Sequence, residues 1–569
     1  MMPALLQRVT LPVLQTTIPP ALVIGTLLLA WLLPGLLGHD PWKPDEGYSM
    51  GLIHHILETG DWVVPTLAGE PFMEKPPLYY LTAAGVAQSL LPWLPLHDGA
   101  RLTSGIYMAL VLLCIALTGR ELYGKEQGGI AMILLMGCLG LVPHAHQMIT
   151  DTALLAGFAC ALYGLALATR RPDLGGLLLG VGAGVGFMAK GLLAPLVLGG
   201  VVCLLPLFAE WRNRRYARTL IIALLAALPW LLLWPWTLYH RHPELFQVWF
   251  WENNYGRFFG SSVLATRQET GYYLKALLWF TGPALPLAML TLWRHRHRAG
   301  RLFPNKAGHP PLRLPLLFAT VVAATLFVSS ATRTLYILPL LLPIVLLATP
   351  AVTGSTPPPR LWSLALTRLF TALALLLWLT WILALLGTQP GELWQFGAES
   401  WVIPDGWGFP FQGVAWAMAL LASGFWLAAL PHLGRSPRTL LMGWTGGVTL
   451  LWLLLMTLWL PVIDHGKSYR SLVMGLKKAL PASVSCIGSQ ALGEPQRAML
   501  HYFGNILTRR LETSHSEPTC ELLLKQSSSP TDGQPPAHGH LLWQGSRPGD
   551  TKEWYFLYQL PNRPNGVSK

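Results

Sequence analysis

The sequence predicts a mainly α-helical, polytopic membrane protein, with about thirteen transmembrane helices followed by a small C-terminal α/β domain. Of 569 residues, 52% are apolar and only 12% charged, against roughly 25% charged in ordinary soluble domains. Apolar runs long enough to cross a lipid core recur as far as residue 461. The Lys and Arg residues behind the net charge of +13 fall in short tracts between those runs. A nucleic-acid surface would cluster them on one soluble face, so no nucleic acid is expected as a partner. Cytoplasmic loops obeying the positive-inside rule are implied instead.

The first run, about 19–38, follows a short tail carrying Arg8. It is too long for a signal-peptide core and lacks an A-x-A-like cleavage site, so it reads as an anchored helix. Further spans fall at about 101–119, 128–143, 152–169, 174–188, 191–208, 219–238, 274–293, 313–330, 336–350, 362–386, 410–430 and 439–461. The stretch 78–94 is ambiguous by length, and loop charge decides it. Left out of the count, it places Arg120 and Lys125, Arg170 and Arg171, Arg212, Arg214, Arg215 and Arg218, Arg294 through Lys306, and Arg435 and Arg438 on the cytoplasmic side with Arg8. Counted as a span, it would set Arg8 against all the others. It therefore reads as a helix lying on the outer membrane surface.

The large outer loops are then about 39–100, 144–151, 239–273, 331–335 and 387–409. A membrane domain covers 1–461, with outer loop helices at about 44–60 and 77–94, and a soluble domain covers 462–569, also outside. In that tail 468–480 reads as an amphipathic helix, 484–487, 540–543 and 554–560 as strands, and the Ser/Pro/Gly-rich 526–539 as a loop. Cys486 and Cys520 are its only cysteines, a pair that suggests a disulfide in an oxidising compartment. The other four cysteines lie in apolar runs and read as small core residues.

The chemistry is concentrated in the outer loops. Pro44 opens a helical pattern that Gly60 ends, which puts the Asp45 carboxylate at a helix N-terminus, where the macrodipole favours its ionised form. Glu74 and Lys75 precede the surface helix; a cation at that positive end calls for an anion, either Glu74 or a bound phosphate. Asp151 begins a span, and the cost of a carboxylate at the bilayer centre places it at the watery outer boundary. His144 and His146 stand close enough in sequence to hold a divalent cation with Asp151, but without a third firm ligand the spacing is a weak metal signal, and no metal ligand is assigned. Lys190 interrupts two apolar runs at the outer end of a helical hairpin, and Arg257, Arg333 and Tyr336 also fall outside. Snorkelling cations at helix ends account for any one of these, and less well for the set.

Asp45-Glu46, then GDWVVPTLAGEPFMEKPPLYYL from Gly60, Asp151, Ala189-Lys190-Gly191, Asn253-Asn254 with Gly256-Arg257-Phe258, and Tyr336-Ile337-Leu338-Pro339 together resemble the bacterial ArnT-like glycosyltransferases, relatives of the protein O-mannosyltransferases. The resemblance implies the GT-C fold and an inner-membrane enzyme that takes a sugar from an undecaprenyl-phosphate-linked donor on the periplasmic side. It implies lipid A phosphate as acceptor, and 4-amino-4-deoxy-L-arabinose as sugar, with another glycolipid or a protein as alternative acceptors. It further implies that Asp45 and Asp151 are catalytic-site acids, that Glu74 and Lys75 form a first-loop pair, and that Lys75 and Tyr336 lie near the carrier phosphate. Arg333 stands where many relatives have Lys, and the Asn253-Asn254 stretch lacks a His found in some relatives. The competing class is a lipid transporter or flippase, which would show paired halves and charges near the midplane; neither is visible here.

Overall fold

A computed structural model of the chain describes residues 9–10, 17–18, 20–256, 271–296, 312–328, 333–353, 360–386, 412–484, 486–512, 520–532 and 539–561. Among the described residues eight helices are long and apolar enough to cross a bilayer: Leu96–Tyr123, Thr150–Leu167, Pro172–Lys190, Arg214–Arg241, Thr334–Val352, Arg360–Leu385, Gly413–His432 and Pro437–Leu455. The pair Tyr272–Phe280 and Ala284–His295 is apolar enough only when taken together, as one broken span or a re-entrant pair, and is bent by 96° where Gly282 and Pro283 interrupt the helical ladder. Shorter apolar helices, Leu22–Leu32, Gln127–Met136, Leu193–Leu207 and Arg313–Val328, occupy the other expected positions. The run 128–143, expected as one span, is instead broken after Met136 and resumes as Leu141–Ala145. Neighbouring helices satisfy the freed backbone: Trp444 Nε1 donates to the Gly137 carbonyl at 2.8 Å and the Gly140 amide to the Phe280 carbonyl at 2.9 Å.

Small residues bring two central helices close together. Gly157 and Gly164 on Thr150–Leu167 face Gly182 and Gly175 on the antiparallel Pro172–Lys190, so closely that a Cβ at Gly157 would lie 2.6 Å from the Gly182 carbonyl oxygen. This packing sets the N-terminal end of the first helix beside the C-terminal end of the second, and so Asp151 beside Lys190.

The ambiguous stretch forms the helix Leu78–Leu90, 13 residues and thus about 20 Å long, short of a hydrocarbon core about 30 Å thick. Its Tyr79, Tyr80, Ala83, Ala84 and Ala87 are buried, while Leu91 and Trp93 beyond its end are exposed. The same connection, between Leu22–Leu32 and Leu96–Tyr123, also holds the helix Asp45–Thr59, closed by Gly60 at φ 71°, and a two-stranded ladder of Thr66–Leu67 with Glu70–Pro71.

The C-terminal region is a five-stranded mixed sheet in the order Arg509–Arg510, Ile487–Gln490, Leu522–Ser527, Trp554–Gln559, His540–Ser546. The first three strands are parallel and the last two pairings antiparallel. A disulfide joins Cys486 to Cys520, with Cα atoms 4.8 Å apart. The amphipathic helix is Arg470–Ala479. The strand expected at 484–487 runs from Ile487 to Gln490, and the expected loop 526–539 begins inside a strand that continues to Ser527; its residues 533–538 lie outside the described set. The helix Glu494–Gly504 and the central strand Leu522–Ser527 were not expected at all.

This region is seated on the connection between Leu22–Leu32 and Leu96–Tyr123. The helix Glu494–Gly504 packs along Asp45–Thr59 across Gly51, where a Cβ would stand 2.6 Å from Ala498 Cβ. Buried Arg497 reaches Glu70 at 2.9 Å, and Arg510 reaches the same carboxylate at 3.4 Å. Ser468 donates to Asp40 at 2.6 Å, and Arg470 holds that carboxylate through both Nε and a terminal nitrogen.

Candidate active site

Seven of the eight side chains singled out as catalytic or substrate-binding line one cavity of about 450 Å³: Asp45, Glu74, Lys75, Asp151, Lys190, Arg333 and Tyr336. Arg257, the eighth, lies outside the described residues. The rest of the wall is Tyr48, Asn253, Asn254 and Tyr255 with apolar side chains, chiefly leucines of the segment 192–196.

Three of the charged members stand at helix ends: Asp45 and Asp151 in first turns and Lys190 in a last turn. Asp45 is the first residue of its helix, where an acid is stabilised by the unpaired amides. Tyr48, one turn later, donates to Asp45 Oδ1 at 2.9 Å and accepts from Lys75 Nζ at 2.9 Å. Lys75 Nζ also stands 4.9 Å from the Tyr48 ring centroid. Burial, and after it the charges of Asp45 and Tyr80, raises Tyr48 far above the usual phenol range, so it remains a neutral donor. Burial and then the charge of Lys190 pull Lys75 below the usual lysine range, against the pull of Asp151, Asp45 and Glu74. A further anion entering the cavity would raise it again.

Asp151 and Lys190 form the other pair, Nζ to Oδ1 2.5 Å, and the lysine lies 4.5 Å from the Tyr336 ring centroid. Asp151 is only 4% exposed. The expected watery setting is therefore corrected, although Asp151 does stand in the first turn of its helix: the close helix packing encloses it, and Lys190 rather than solvent stabilises its charge. Gly191 follows at φ 69°, a conformation suited to glycine, and a Cβ there would clash with Asn254 Oδ1. That oxygen accepts from the Leu192 amide at 3.1 Å and the Asn254 amide group donates to the Trp249 carbonyl at 2.8 Å, so Asn254 clamps the turn after Lys190. Arg333 precedes a single helical turn, Thr334–Ile337, and its NH1 is 4.0 Å from Asp45 Oδ1.

The histidines beside Asp151 are committed elsewhere. His146 has Nδ1 2.6 Å from the Val142 carbonyl and Nε2 2.8 Å from the Trp31 carbonyl, and His144 meets Gln147 at 3.1 Å.

Glu46 is the residue whose importance the sequence hid behind its neighbour Asp45. Its side chain is almost completely buried and accepts from Arg101 Nε at 2.8 Å, from the Trp42 amide at 2.9 Å and from the Met148 amide at 2.9 Å. Burial opposes its ionisation, but Arg101 and His39 outweigh that and hold it below the usual carboxylate range. It ties the Asp45 helix to the turn that leads into Asp151. The helix-start acids at 45 and 46 point in different directions, one into the cavity and one into the protein.

Residues 75–237 match the family model described as dolichyl-phosphate-mannose-protein mannosyltransferase. The chain is 30% identical over 434 residues to the undecaprenyl phosphate-alpha-4-amino-4-deoxy-L-arabinose arabinosyl transferase of Pseudomonas paraeruginosa, covering 71% of this chain and 73% of that one. It belongs to that arabinosyl transferase family. A second family member, from Pseudomonas aeruginosa, is 31% identical over the same length and coverage. The crystal structure of ArnT from Cupriavidus metallidurans bound to undecaprenyl phosphate superposes with a TM-score of 0.65 at 16% identity, over 96% of this chain and 99% of that one. The fold of the arabinosyl transferase family thus extends through the C-terminal sheet, and the GT-C expectation holds.

Proposed function

We propose that the chain transfers 4-amino-4-deoxy-L-arabinose from undecaprenyl phosphate to a lipid A phosphate, with its active site and C-terminal region on the periplasmic face of the inner membrane. The observation that carries this is the convergence of three cations, two Asp carboxylates and a tyrosine on one cavity, in a chain of this family. Transfer breaks the bond between the anomeric carbon and the carrier phosphate oxygen, and forms one to an acceptor phosphate oxygen. The electron pair of the broken bond leaves with the carrier as phosphate dianion. Lys75, Lys190 and Arg333 are placed to stabilise that developing charge, in a cavity where apolar walls weaken screening. An acceptor phosphate is already anionic and needs little base assistance. Asp45 and Asp151 then orient the sugar, its ammonium being a fitting partner for a carboxylate.

Opposite ends of the long helices support the orientation. Arg170 pairs with Glu121 at 2.7 Å, Arg218 with Asp173 at 2.7 Å and Arg438 with Glu126 at 3.3 Å, all at helix ends remote in the chain path from Asp151 and Lys190. With thirteen crossings, the positive-inside rule would assign these tracts to the cytoplasm and the tail to the outside. Family membership weighs against the transporter reading, since the relatives are named as transferases. The test is mass spectrometry of lipid A from cells with and without this gene. A mass increment of one aminopentose on lipid A, dependent on the gene, is expected; unchanged lipid A would exclude this acceptor.

A further inference from the structure

Away from the cavity, the contact between the first outer loop and the C-terminal region gathers three donor groups that the transfer reaction does not use. His54 and Glu58 lie four residues apart on the helix Asp45–Thr59, and so on one face of it. His501 comes from the facing helix Glu494–Gly504. Glu58 Oε2 stands 3.5 Å from His54 Nδ1 and 3.6 Å from His501 Nε2, and the three donor atoms all lie within 4.8 Å of one another. The two imidazoles meet edge to face, centroids 5.0 Å apart, and Tyr502 closes over His54 at 5.4 Å.

We propose that His54, Glu58 and His501 form a binding site for a divalent transition-metal ion of the zinc type, which fastens the C-terminal region to the loop helix that carries Asp45. Tetrahedral zinc with bonds of about 2.0–2.2 Å separates its ligand atoms by about 3.4 Å, close to the two distances measured to Glu58. Two imidazoles with one carboxylate suit zinc rather than calcium or magnesium, which take oxygen ligands. His54 Nδ1 is buried without a hydrogen-bond partner, a cost that a metal bond removes. Glu58, 42% exposed at its side chain, leaves the outer side open for water as fourth ligand. The neighbouring His55 turns away to Thr59, 3.4 Å from its Nε2, and takes no part.

Two otherwise identical helix-on-helix contacts differ if one is bridged by metal: only the bridged one responds to chelation. The full-length protein in detergent, stripped with EDTA and desalted, is titrated with zinc sulfate while bound metal is measured by plasma mass spectrometry and unfolding by melting temperature. Wild type is expected to bind zinc equimolar with the chain and to melt at a higher temperature once loaded. Loss of a partner that merely supports a metal ligand weakens binding about 10–100-fold, so Glu58→Ala and His501→Gln, which remove ligands, should weaken it at least that much. Both should lose the thermal response, while His55→Gln keeps both properties. Glu58→Ala is at an exposed position and secures the test should His501→Gln fail to fold. Wild type without stoichiometric zinc, or variants that bind it as wild type does, would overturn the site; a carboxylate merely bridging protonated imidazoles would produce the first of these results.

Discussion

Asp45 and Asp151 are both acids at helix starts, yet their surroundings separate the expected behaviour of their variants. Asp45→Asn keeps volume at a part-exposed position whose neighbours Tyr48 and Arg333 can adapt. Sugar transfer should fall at least about 100-fold with little change in melting temperature. Asp151→Asn removes the same charge from beside Lys190 in an enclosed pocket, and stranding a buried charge costs about 3–5 kcal/mol. It should therefore lose both activity and stability, and Asp151→Asn with Lys190→Met should recover stability without activity. Transfer from a polyprenyl-phosphate sugar in detergent, with melting curves for each variant, checks this; full activity in both single variants would remove the acids from the mechanism. A different acid carries a pH signature. Asp464 accepts from the Asp40 amide and from Trp42 Nε1, both at 2.9 Å. Burial, then the charge of Asp40, pushes it up to about 6 from 3.8. Because the folded value lies above the unfolded one, its protonated form stabilises the fold at low pH, and that contribution is lost as pH rises from about 4 to 6. Asp464→Asn should raise the melting temperature at pH 7.5 and leave it unchanged near pH 4, in melting curves run across that range. The cavity acids and cations were legible in the sequence because each interrupts an apolar run or opens a helix. Glu46 and Arg101 were not, because a buried ion pair joining residues 55 positions apart leaves no local pattern.

At the scale of elements, the loop helix Asp45–Thr59 is the piece on which the site and the C-terminal region both depend. Gly51 sits where that helix meets Ala498, with a virtual Cβ 2.6 Å from Ala498 Cβ and 2.7 Å from Leu67 Cδ1. Gly51→Ala should destabilise the docked C-terminal region by about 1–3 kcal/mol, the usual range for overpacking. Gly85→Ala, in the exposed face of Leu78–Leu90 with nothing within 4 Å, should stabilise by about 0.4–1 kcal/mol. Limited proteolysis of the tail, read beside the melting temperature, distinguishes the two, and equal behaviour would contradict the close contact. Helix Asp45–Thr59 was visible from its apolar spacing and from Pro44 and Gly60 at its ends, and Leu78–Leu90 from its apolar stretch and the charge of the loops around it. The tail helix Glu494–Gly504 carried similar marks, with Pro495 in its first turn and Asn505 in the left-handed region after it. Its apolar residues Ala498, Met499 and Leu500 run consecutively, which hides the helical period. Leu522–Ser527 escaped for the matching reason: its first three residues, Leu522 to Leu524, are buried on both faces and so do not alternate.

Across the whole molecule, reporter fusions test which way the chain faces. A fusion after Lys569 should report periplasm and one in the connection 294–306 cytoplasm, as the Lys and Arg bias requires; both on one side would refute thirteen crossings. Hydropathy and charge rendered most of this architecture readable, while the break near Gly137 depended on tertiary partners, Trp444 and Phe280, that only the fold supplies. The leucine wall of the cavity has one more consequence. Leu192 and Leu196 line it and are also 37% and 52% exposed, the first just before and the second within the apolar helix Leu193–Leu204; with that surface in hydrocarbon, a lipid-borne donor would arrive sideways within the bilayer plane. Such an enzyme responds to how crowded its substrate is among the surrounding amphiphiles, a mole fraction, and not to molarity in the tube. Adding inert detergent at constant donor and protein would then slow turnover by surface dilution, and a cell could set the rate by membrane composition alone.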